Sequence, residues 1–240
     1  MTQATPSPPI RLAIVLSHPT QYFSPWFKHV AEHTGICIKL FYLWDFGIEK
    51  RYDQSFRHTV QWDIPLLEGY DYEFVDNVSQ DPGTHHFTGL DNPELASRIS
   101  SWSPDAILLF GYNFKSHLRI MFSWRLRHAP MFLRGDSHDL ARQSGWKNYA
   151  KRMFRTLLFK RFSGFLAVGQ ANANYFQNNG VTRTKIHFVP HCVDNQRFQS
   201  AREQAENEAG IWRSQLGIPK VSKVILFAGK FEDKKRPMDL

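Results

Sequence analysis

Short apolar runs alternate with amphipathic segments along most of this chain, and this alternation limits its fold more than any other feature. The predicted strands fall at residues 12–16, 36–43, 72–75, 105–110, 130–133, 165–168 and 185–189; the segment 12–16 is continuously apolar, and 36–43 alternates only loosely. Continuous apolar runs of this length are typical of parallel strands that are buried on both faces. Segments with a helical period separate them, at residues 22–33, 93–102, 114–127, 145–162 and 171–178. The pattern predicts an α/β fold, an open parallel sheet with helices on both faces.

Two stretches depart from this alternation. Residues 44–70 are rich in aromatic and charged side chains and show no clear period, so we expect an irregular excursion there. Residues 1–9 are polar and rich in proline, which predicts a disordered tail and not a signal peptide. No run reaches the ~20 apolar residues that a bilayer span needs. We therefore expect a cytoplasmic chain, at most peripheral to the inner face of the membrane.

The composition of the chain is that of a basic globular protein. Hydrophobic residues make up 42% of the 240 residues, which is enough for a substantial core. The formal net charge of +8 predicts an anionic partner, and nucleotide diphosphates, acidic glycolipids, membrane surfaces and nucleic acids all qualify. Cys37 and Cys192 lie in apolar runs, so we expect two reduced thiols in the core. Their spacing matches no metal site.

Polar groups follow four of the predicted strands at the point where each strand ends. They are Ser17 and His18, then Gly111, Tyr112 and Asn113, then the run from Arg134 to His138, and finally Gly169 and Gln170. The carboxyl ends of parallel strands meet at one edge of a sheet, and ligands bind outside that edge. The sequence therefore predicts a functional site there.

The densest of these groups runs from Arg134 to His138. A guanidinium, a carboxylate, a hydroxyl and an imidazole within five positions can bind anions, orient hydroxyls and move protons. A turn stabilised by Asp136 and an Arg134–Asp136 pair would explain the same residues. His18 and Thr20 have two interpretations as well, because they could bind a substrate or cap the helix that follows.

The last third of the chain has an apolar run, a polar segment and a second apolar run. Residues 185–198 read KIHFVPHCVDNQRF, and residues 224–240 read VILFAGKFEDKKRPMDL. In order and spacing, the two segments resemble the inter-domain segment and the opening of the donor-binding domain of GT-B glycosyltransferases of family 4. The run HPTQY at residues 18–22 resembles a motif that follows the first strand in one branch of these enzymes.

This resemblance implies a domain organisation. Residues 10–198 would form a Rossmann-like acceptor-side domain, and residues 199–222 a linker. Residues 223–240 would be the truncated start of a Rossmann-like donor-binding domain, beginning with a strand at residues 223–228. The resemblance covers about half of such an enzyme, so we expect that this chain by itself does not turn over.

The resemblance also implies an activity and a set of site residues. The reaction would be a retaining, metal-independent hexosyl transfer from a nucleotide-sugar to a hydroxyl of a glycan or glycolipid, with the nucleotide-sugar as co-substrate and no further cofactor. His138 matches an acceptor-side histidine of the family, and Arg134 and Asp136 would face the reacting centre. Lys230 and Lys235 match the positions that hold the donor diphosphate. Further substrate contacts are expected from His18, Thr20, Gln21, Tyr112 and Asn113. No metal ligand is expected.

The predicted helix at residues 145–162 has an apolar side and a basic side. The apolar side has Trp146, Tyr149, Met153, Leu157 and Leu158, and the basic side has Lys147, Lys151 and Arg155. Packing of the apolar side on the sheet explains this pattern. Adsorption of the helix to anionic lipid is the alternative.

Two further functions fit the sequence. A non-catalytic basic α/β module could bind an anionic membrane surface or a nucleic acid, although no nucleic-acid signature accompanies the charge and we expect no nucleic-acid partner. A sugar-nucleotide epimerase or hydrolase with the GT-B fold would share the architecture.

Overall fold

The computed structural model describes residues 8–48, 51–53, 58–60, 62–139, 146–229, 231 and 235–239. It divides into two compact units, one of residues 1–49 and 62–192 and the other of residues 50–61 and 193–240. The strands are β1 Arg11–Leu16, β2 Cys37–Tyr42, β3 Arg51–Asp53, β4 His58–Val60, β5 Asp71–Phe74, β6 Ala106–Phe110, β7 Met131–Gly135, β8 Gly164–Ala167 and β9 Ile186–Phe188. The helices are α1 Ser24–His33, α2 Leu95–Trp102, α3 Lys115–Met121, α4 Trp146–Phe159, α5 Gln170–Asn178, α6 Asn195–Ser200 and α7 Arg202–Gln215.

The first unit is built on a seven-stranded parallel sheet. Its strand order is β5-β2-β1-β6-β7-β8-β9, and every neighbouring pair is parallel. All seven strands overlap the segments predicted as strands from the sequence, so the parallel sheet is confirmed. The central strands β1 and β6 are apolar over almost their whole length and are covered on both faces, whereas the edge strands β5 and β9 are only partly buried.

Helices cover both faces of this sheet, as predicted. One face packs against α2, α3, α4 and α5, with a buried core of Ala13, Val15, Ile107, Leu109, Leu133, Ile99, Ile120, Phe159 and Phe176. The other face packs against α1, with a buried core of Ile14, Leu16, Leu40, Leu108 and Phe27. Successive residues of β1 alternate between the two cores, because neighbouring side chains in a strand point to opposite faces.

A buried asparagine fixes the carboxyl ends of β2 and β5. The side-chain nitrogen of Asn92 donates hydrogen bonds to the main-chain oxygens of Leu43, Val75 and Asp76, over 3.1, 2.7 and 3.1 Å. Its side-chain oxygen accepts a hydrogen bond from the hydroxyl of Ser116 over 2.8 Å. Asn92 is fully buried, so these bonds satisfy polar groups that would otherwise be unpaired in the core. They also position the first turn of α3.

Both cysteines are exposed, and the prediction of core thiols is wrong. Cys37 is the first residue of β2, where the strand has not yet entered the core, and Cys192 lies in the segment after β9. An apolar run is thus buried only along the part that neighbouring strands and helices cover.

Two other predicted segments differ in the structure. The excursion at residues 44–70 contains an antiparallel pair, β3 with β4, which belongs to the second unit with α6 and α7. The predicted helix at residues 114–127 is divided, because α3 ends at Met121 and a short 3₁₀ turn follows at Trp124–Leu126.

The predicted strand at residues 223–228 is absent from the described chain. Residues 222–228 have no regular secondary structure, and Ile225 and Leu226 are 79% and 83% exposed. A strand exists only where another strand completes its hydrogen bonds, and no described segment pairs with this one. Within the described residues, no helix is both long enough and apolar enough to cross a membrane.

Candidate functional site at the switch point of the sheet

The direction of the chain reverses between β1 and β6, which are neighbours in the sheet. From β1 the chain continues to β2 on one side, and from β6 it continues to β7 on the other side. The loops after β1 and β6 therefore diverge and leave a crevice at the carboxyl ends of the strands. Phe23, in the loop after β1, contacts Phe110 at the end of β6 and His191 after β9, with ring centroids 4.9 and 6.2 Å apart. These three loops thus meet at one edge.

His18 lies in the loop after β1, in an aromatic environment. Its ring meets Trp44 and Phe46 edge to face, with centroid distances of 5.9 and 5.6 Å, and these two rings stack on each other. Its Nδ1 atom lies 3.0 Å from the hydroxyl of Ser17. Burial lowers the pKa of His18 to about 4. The imidazole is therefore neutral at pH 7 and serves as a hydrogen-bonding group without charge.

Thr20 does not cap the next helix with its side chain, so the capping interpretation is wrong. The cap position of α1 is Phe23, and no side chain caps the helix. Instead the main-chain oxygen of Thr20 accepts hydrogen bonds from the amides of Phe23 and Ser24, over 3.2 and 3.1 Å. The Thr20 hydroxyl is buried and has no partner among the described residues. Gln21 is half-buried in the same loop.

His117 is a second neutral histidine, in the helix that follows β6, and the sequence did not single it out. It lies in the first turn of α3, fully buried, and burial lowers its pKa to about 4. Its Nδ1 accepts a hydrogen bond from the amide of Phe114 over 3.4 Å, so Nε2 bears the proton. That Nε2 has no partner among the described residues. Helical spacing from Ile120 and Met121 would have indicated its burial, though not its unpaired nitrogen.

Gly111 allows the chain to turn sharply at the end of β6. Its φ is +90°, a conformation that side chains rarely adopt, and a Cβ there would lie 3.7 Å from Cε1 of His117. The loop after β6 can therefore turn sharply over the His117 ring.

The other two predicted residues of this loop lie in different places. The Tyr112 hydroxyl lies 2.5 Å from the Tyr175 hydroxyl of α5, and its ring meets Phe159 of α4 edge to face. Tyr112 therefore packs into the helical layer, and these contacts account for its hydroxyl without a substrate. Asn113 is exposed at the edge of the sheet.

Arg134 is a buried residue and not a surface group. It is only 4% exposed, and its guanidinium donates hydrogen bonds to the main-chain oxygens of Val189 and Pro190, over 2.6 and 3.2 Å. The guanidinium also lies 5.2 and 5.8 Å from the ring centres of Trp26 and Phe110. Burial lowers the pKa of Arg134. An Arg134–Asp136 pair was predicted. Among the described residues, Arg134 instead donates its hydrogen bonds to main-chain oxygens.

The loop after β7 is attached to the beginning of α5. Asn172, in the first turn of α5, donates a hydrogen bond to the main-chain oxygen of Ser137 over 2.8 Å and accepts one from the amide of Val168 over 3.2 Å. This places Asp136 and His138, which are both exposed, beside that helix end. Asn172 is buried, and the sequence did not identify its role.

The structure describes one of the two predicted diphosphate ligands. Lys230 lies outside the described residues, and Lys235 is exposed in a short segment near a 3₁₀ turn at Pro237–Asp239. Their roles stay predictions.

Comparison with known proteins adds a distant likeness. No protein-family model matches the chain, and no curated protein matches it. Among solved structures, the chain is similar to HepE of Anabaena, crystallised in complex with UDP and glucose. The sequence identity is 13% and the TM-score is 0.47, and the match covers 82% of this chain and 50% of HepE. The chain thus spans half the length of that protein, and a likeness at this level carries no argument about function.

Proposed function

We propose that this chain is the acceptor-side part of a glycosyltransferase with the GT-B fold. The reaction is a retaining, metal-independent hexosyl transfer from a nucleotide-sugar to a hydroxyl of a glycan or glycolipid. The proposal is supported by the motif resemblance at residues 18–22, 185–198 and 224–240 and by the chemistry of the crevice between β1 and β6.

The observation that carries the proposal is the group of neutral hydrogen-bonding side chains in the loop after β1 and in the first turn of α3, the helix that follows β6. His117 Nε2 and the Thr20 hydroxyl are buried without a partner among the described residues, and His18 is neutral. Polar groups that no other residue pairs are free to bind a ligand or an ordered water. The neutral imidazole of His18 beside the Trp44 and Phe46 rings suits a sugar, which combines hydroxyls with apolar C–H faces.

The remaining residues of the edge receive roles from their positions. His138 is exposed and would move a proton to or from a substrate hydroxyl, with Asp136 beside it. Arg134 is a positioning residue, because it holds the segment after β9 and is too buried to reach a substrate. Lys230 and Lys235 would stabilise the negative charge that develops on the leaving diphosphate.

A transfer assay on the whole gene product tests the proposal. Nucleotide release would be measured with UDP-, GDP- and ADP-sugars, with and without a lipid extract as acceptor. Release that depends on the acceptor, with the anomeric configuration retained in the product, supports a retaining transferase. Release without an acceptor indicates a hydrolase, and a changed sugar on an intact nucleotide indicates an epimerase. Binding to anionic surfaces without any turnover would support the non-catalytic module and overturn the proposal.

Helix α4 supports a second element of the proposal, contact with an anionic membrane. Much of the apolar side that would have packed on the sheet is exposed, since Trp146 is 77% and Leu157 is 62% exposed. Tyr149, Met153 and Phe154 are exposed too, while Leu158 and Phe159 anchor the helix in the core. The prediction that this whole side packs on the sheet is therefore wrong.

The charge of this segment matches an anionic lipid surface. Residues 146–161 contain six basic residues and no acidic residue. Lys151 and Arg152 are exposed, whereas Arg155 donates a hydrogen bond to the side-chain oxygen of Asn179 over 2.8 Å. An exposed helix with Trp, Tyr and Leu beside basic residues is the pattern of helices that lie in the membrane interface. We propose that α4 holds the protein at the membrane, where a glycolipid acceptor resides.

A further inference from the structure

Two histidines and an aspartate converge on the loop that follows β5. They are Asp81, His85 and His86, and their ligand atoms all lie within 4.8 Å of one another. We propose that this group is a binding site for Zn²⁺ or a similar divalent transition-metal ion. The proposal does not rest on the proposed transferase activity. No metal ligand had been expected from the sequence.

The distances among the three side chains fit a metal ion. The Nε2 atoms of His85 and His86 each lie 3.1 Å from the same carboxylate oxygen of Asp81, Oδ2. Zinc binds nitrogen and carboxylate oxygen at about 2.0–2.2 Å, so two ligands of a tetrahedral ion lie roughly 3.3 Å apart. A small movement of the side chains would therefore admit the ion between atoms that already face one another. Two imidazoles and one carboxylate are also a donor set that zinc uses, with a position left for water.

A neighbouring hydroxyl orients one of the ligands. Nδ1 of His86 lies 3.0 Å from the Thr88 hydroxyl, which directs Nε2 of the same ring towards Asp81. Metal-binding histidines usually use their second nitrogen in this way, and the outer hydrogen bond fixes the orientation of the ring. The rings of His85 and His86 are nearly perpendicular, with centroids 4.5 Å apart, so both can direct Nε2 to one point.

The loop that bears the cluster is closed by its own main chain. The amide of Gly83 donates a hydrogen bond to the main-chain oxygen of Gly89 over 3.2 Å. The amide of Gly89 donates one to the main-chain oxygen of His86, also over 3.2 Å. A Cβ on Gly89 would lie only 2.2 Å from the oxygen of Gly83, so this contact needs glycine. Asn77 holds the end of the loop, because its side chain donates to Gly89 and accepts from the amide of Asp91, both over 2.9 Å. The three ligands are thus held close together before an ion binds.

Zinc binding by tag-free, chelator-stripped protein tests the proposal. The 240-residue chain would be titrated with Zn²⁺ in competition with a chromophoric chelator. We expect one equivalent that is lost in the double variant His85→Gln, His86→Gln. The variant Thr88→Val should keep the stoichiometry and bind about 10- to 100-fold more weakly, because it loses only the outer hydrogen bond. Far-UV circular dichroism would establish that each variant is folded.

A second histidine pair provides the matched control. His29 and His33 stack on α1 with ring centroids 4.4 Å apart, and the spacing of four residues could also attract a metal ion. The variant His29→Gln, His33→Gln should retain the bound equivalent. Absence of zinc binding in the parent would overturn the proposal. So would retention of the full equivalent by folded His85→Gln, His86→Gln protein.

Discussion

The guanidinium of Arg134 donates a hydrogen bond over 2.6 Å to the main-chain oxygen of Val189, 55 residues further along the chain. This bond joins the end of β7 to the segment that leaves β9, and β8 lies between the two strands. A second bond reaches Pro190. The arginine therefore fixes the position of the segment that leads to His191 at the edge of the sheet.

Replacement of Arg134 should destabilise the first unit. Arg134→Ala would remove the charged donor to the main-chain oxygen of Val189 and the packing of the buried guanidinium on Trp26, so we expect the free energy of unfolding to fall by about 3 kcal/mol. Urea unfolding followed by circular dichroism measures this change. Arg98, whose ion pairs with Glu73 and Glu94 are on the surface, is the matched control, and Arg98→Ala should cost less than about 1 kcal/mol. Equal losses in the two variants would contradict the buried role.

The buried His117 should make the fold sensitive to acid. In the unfolded chain a histidine binds a proton below about pH 6.5, whereas in the fold burial lowers the pKa of His117 to about 4. Between pH 4 and pH 6.5 the unfolded state therefore binds more protons than the folded state. This contribution to stability is therefore complete above pH 6.5 and is lost as the pH falls towards 4. At full size, the lowered pKa of His117 contributes about 3 kcal/mol to the free energy of unfolding.

Removal of this imidazole tests that reasoning. His117→Leu should flatten the dependence of the unfolding free energy on pH between 4 and 6.5, by the amount that one proton contributes. The measurement is urea unfolding at a series of pH values. His128 is exposed, so His128→Leu should keep the pH dependence of the parent. An unchanged slope in His117→Leu would show that the buried imidazole does not cause the acid sensitivity.

His138 should matter for turnover and not for folding. In the whole gene product, His138→Ala should lower the rate of sugar transfer at least ~100-fold, the usual cost of losing a positioned proton-transfer group. Because the side chain is exposed, the melting temperature should hardly change. His128→Ala serves as the control, with the rate of the parent expected. A rate near that of the parent in His138→Ala would remove this residue from the mechanism.

Charge reversal on α4 tests the membrane contact. Lys151→Glu together with Arg152→Glu should reduce co-sedimentation with phosphatidylserine vesicles at least ~10-fold, because each basic residue near such a surface contributes about 1 kcal/mol. Binding of the parent should also weaken as salt is added. Lys28→Glu with Lys185→Glu makes the same charge change at two other exposed positions and should have a smaller effect. If the parent does not sediment with the vesicles at low salt, α4 is not a membrane contact.

The sequence by itself determined the sheet. The central strands β1 and β6 are nearly continuous apolar runs, which need cover on both faces, whereas the edge strand β5 carries Asp71 and Glu73. This information is local, because the composition of each run and the spacing between runs are sufficient to choose a parallel α/β fold. The set of loops that carry the candidate site followed from the same reasoning, since the carboxyl ends of parallel strands share one edge.

Only the tertiary structure decided what each polar side chain of those loops does. Arg134 reaches carbonyls 55 and 56 residues away, and Tyr112 turns into the helical layer to meet Tyr175. Nε2 of His117 has no partner among the residues that the structure describes. The exposure of Trp146 on α4 depends likewise on which neighbours cover that helix. These outcomes are set by contacts between residues far apart in the chain. Local composition and periodicity do not predict such contacts.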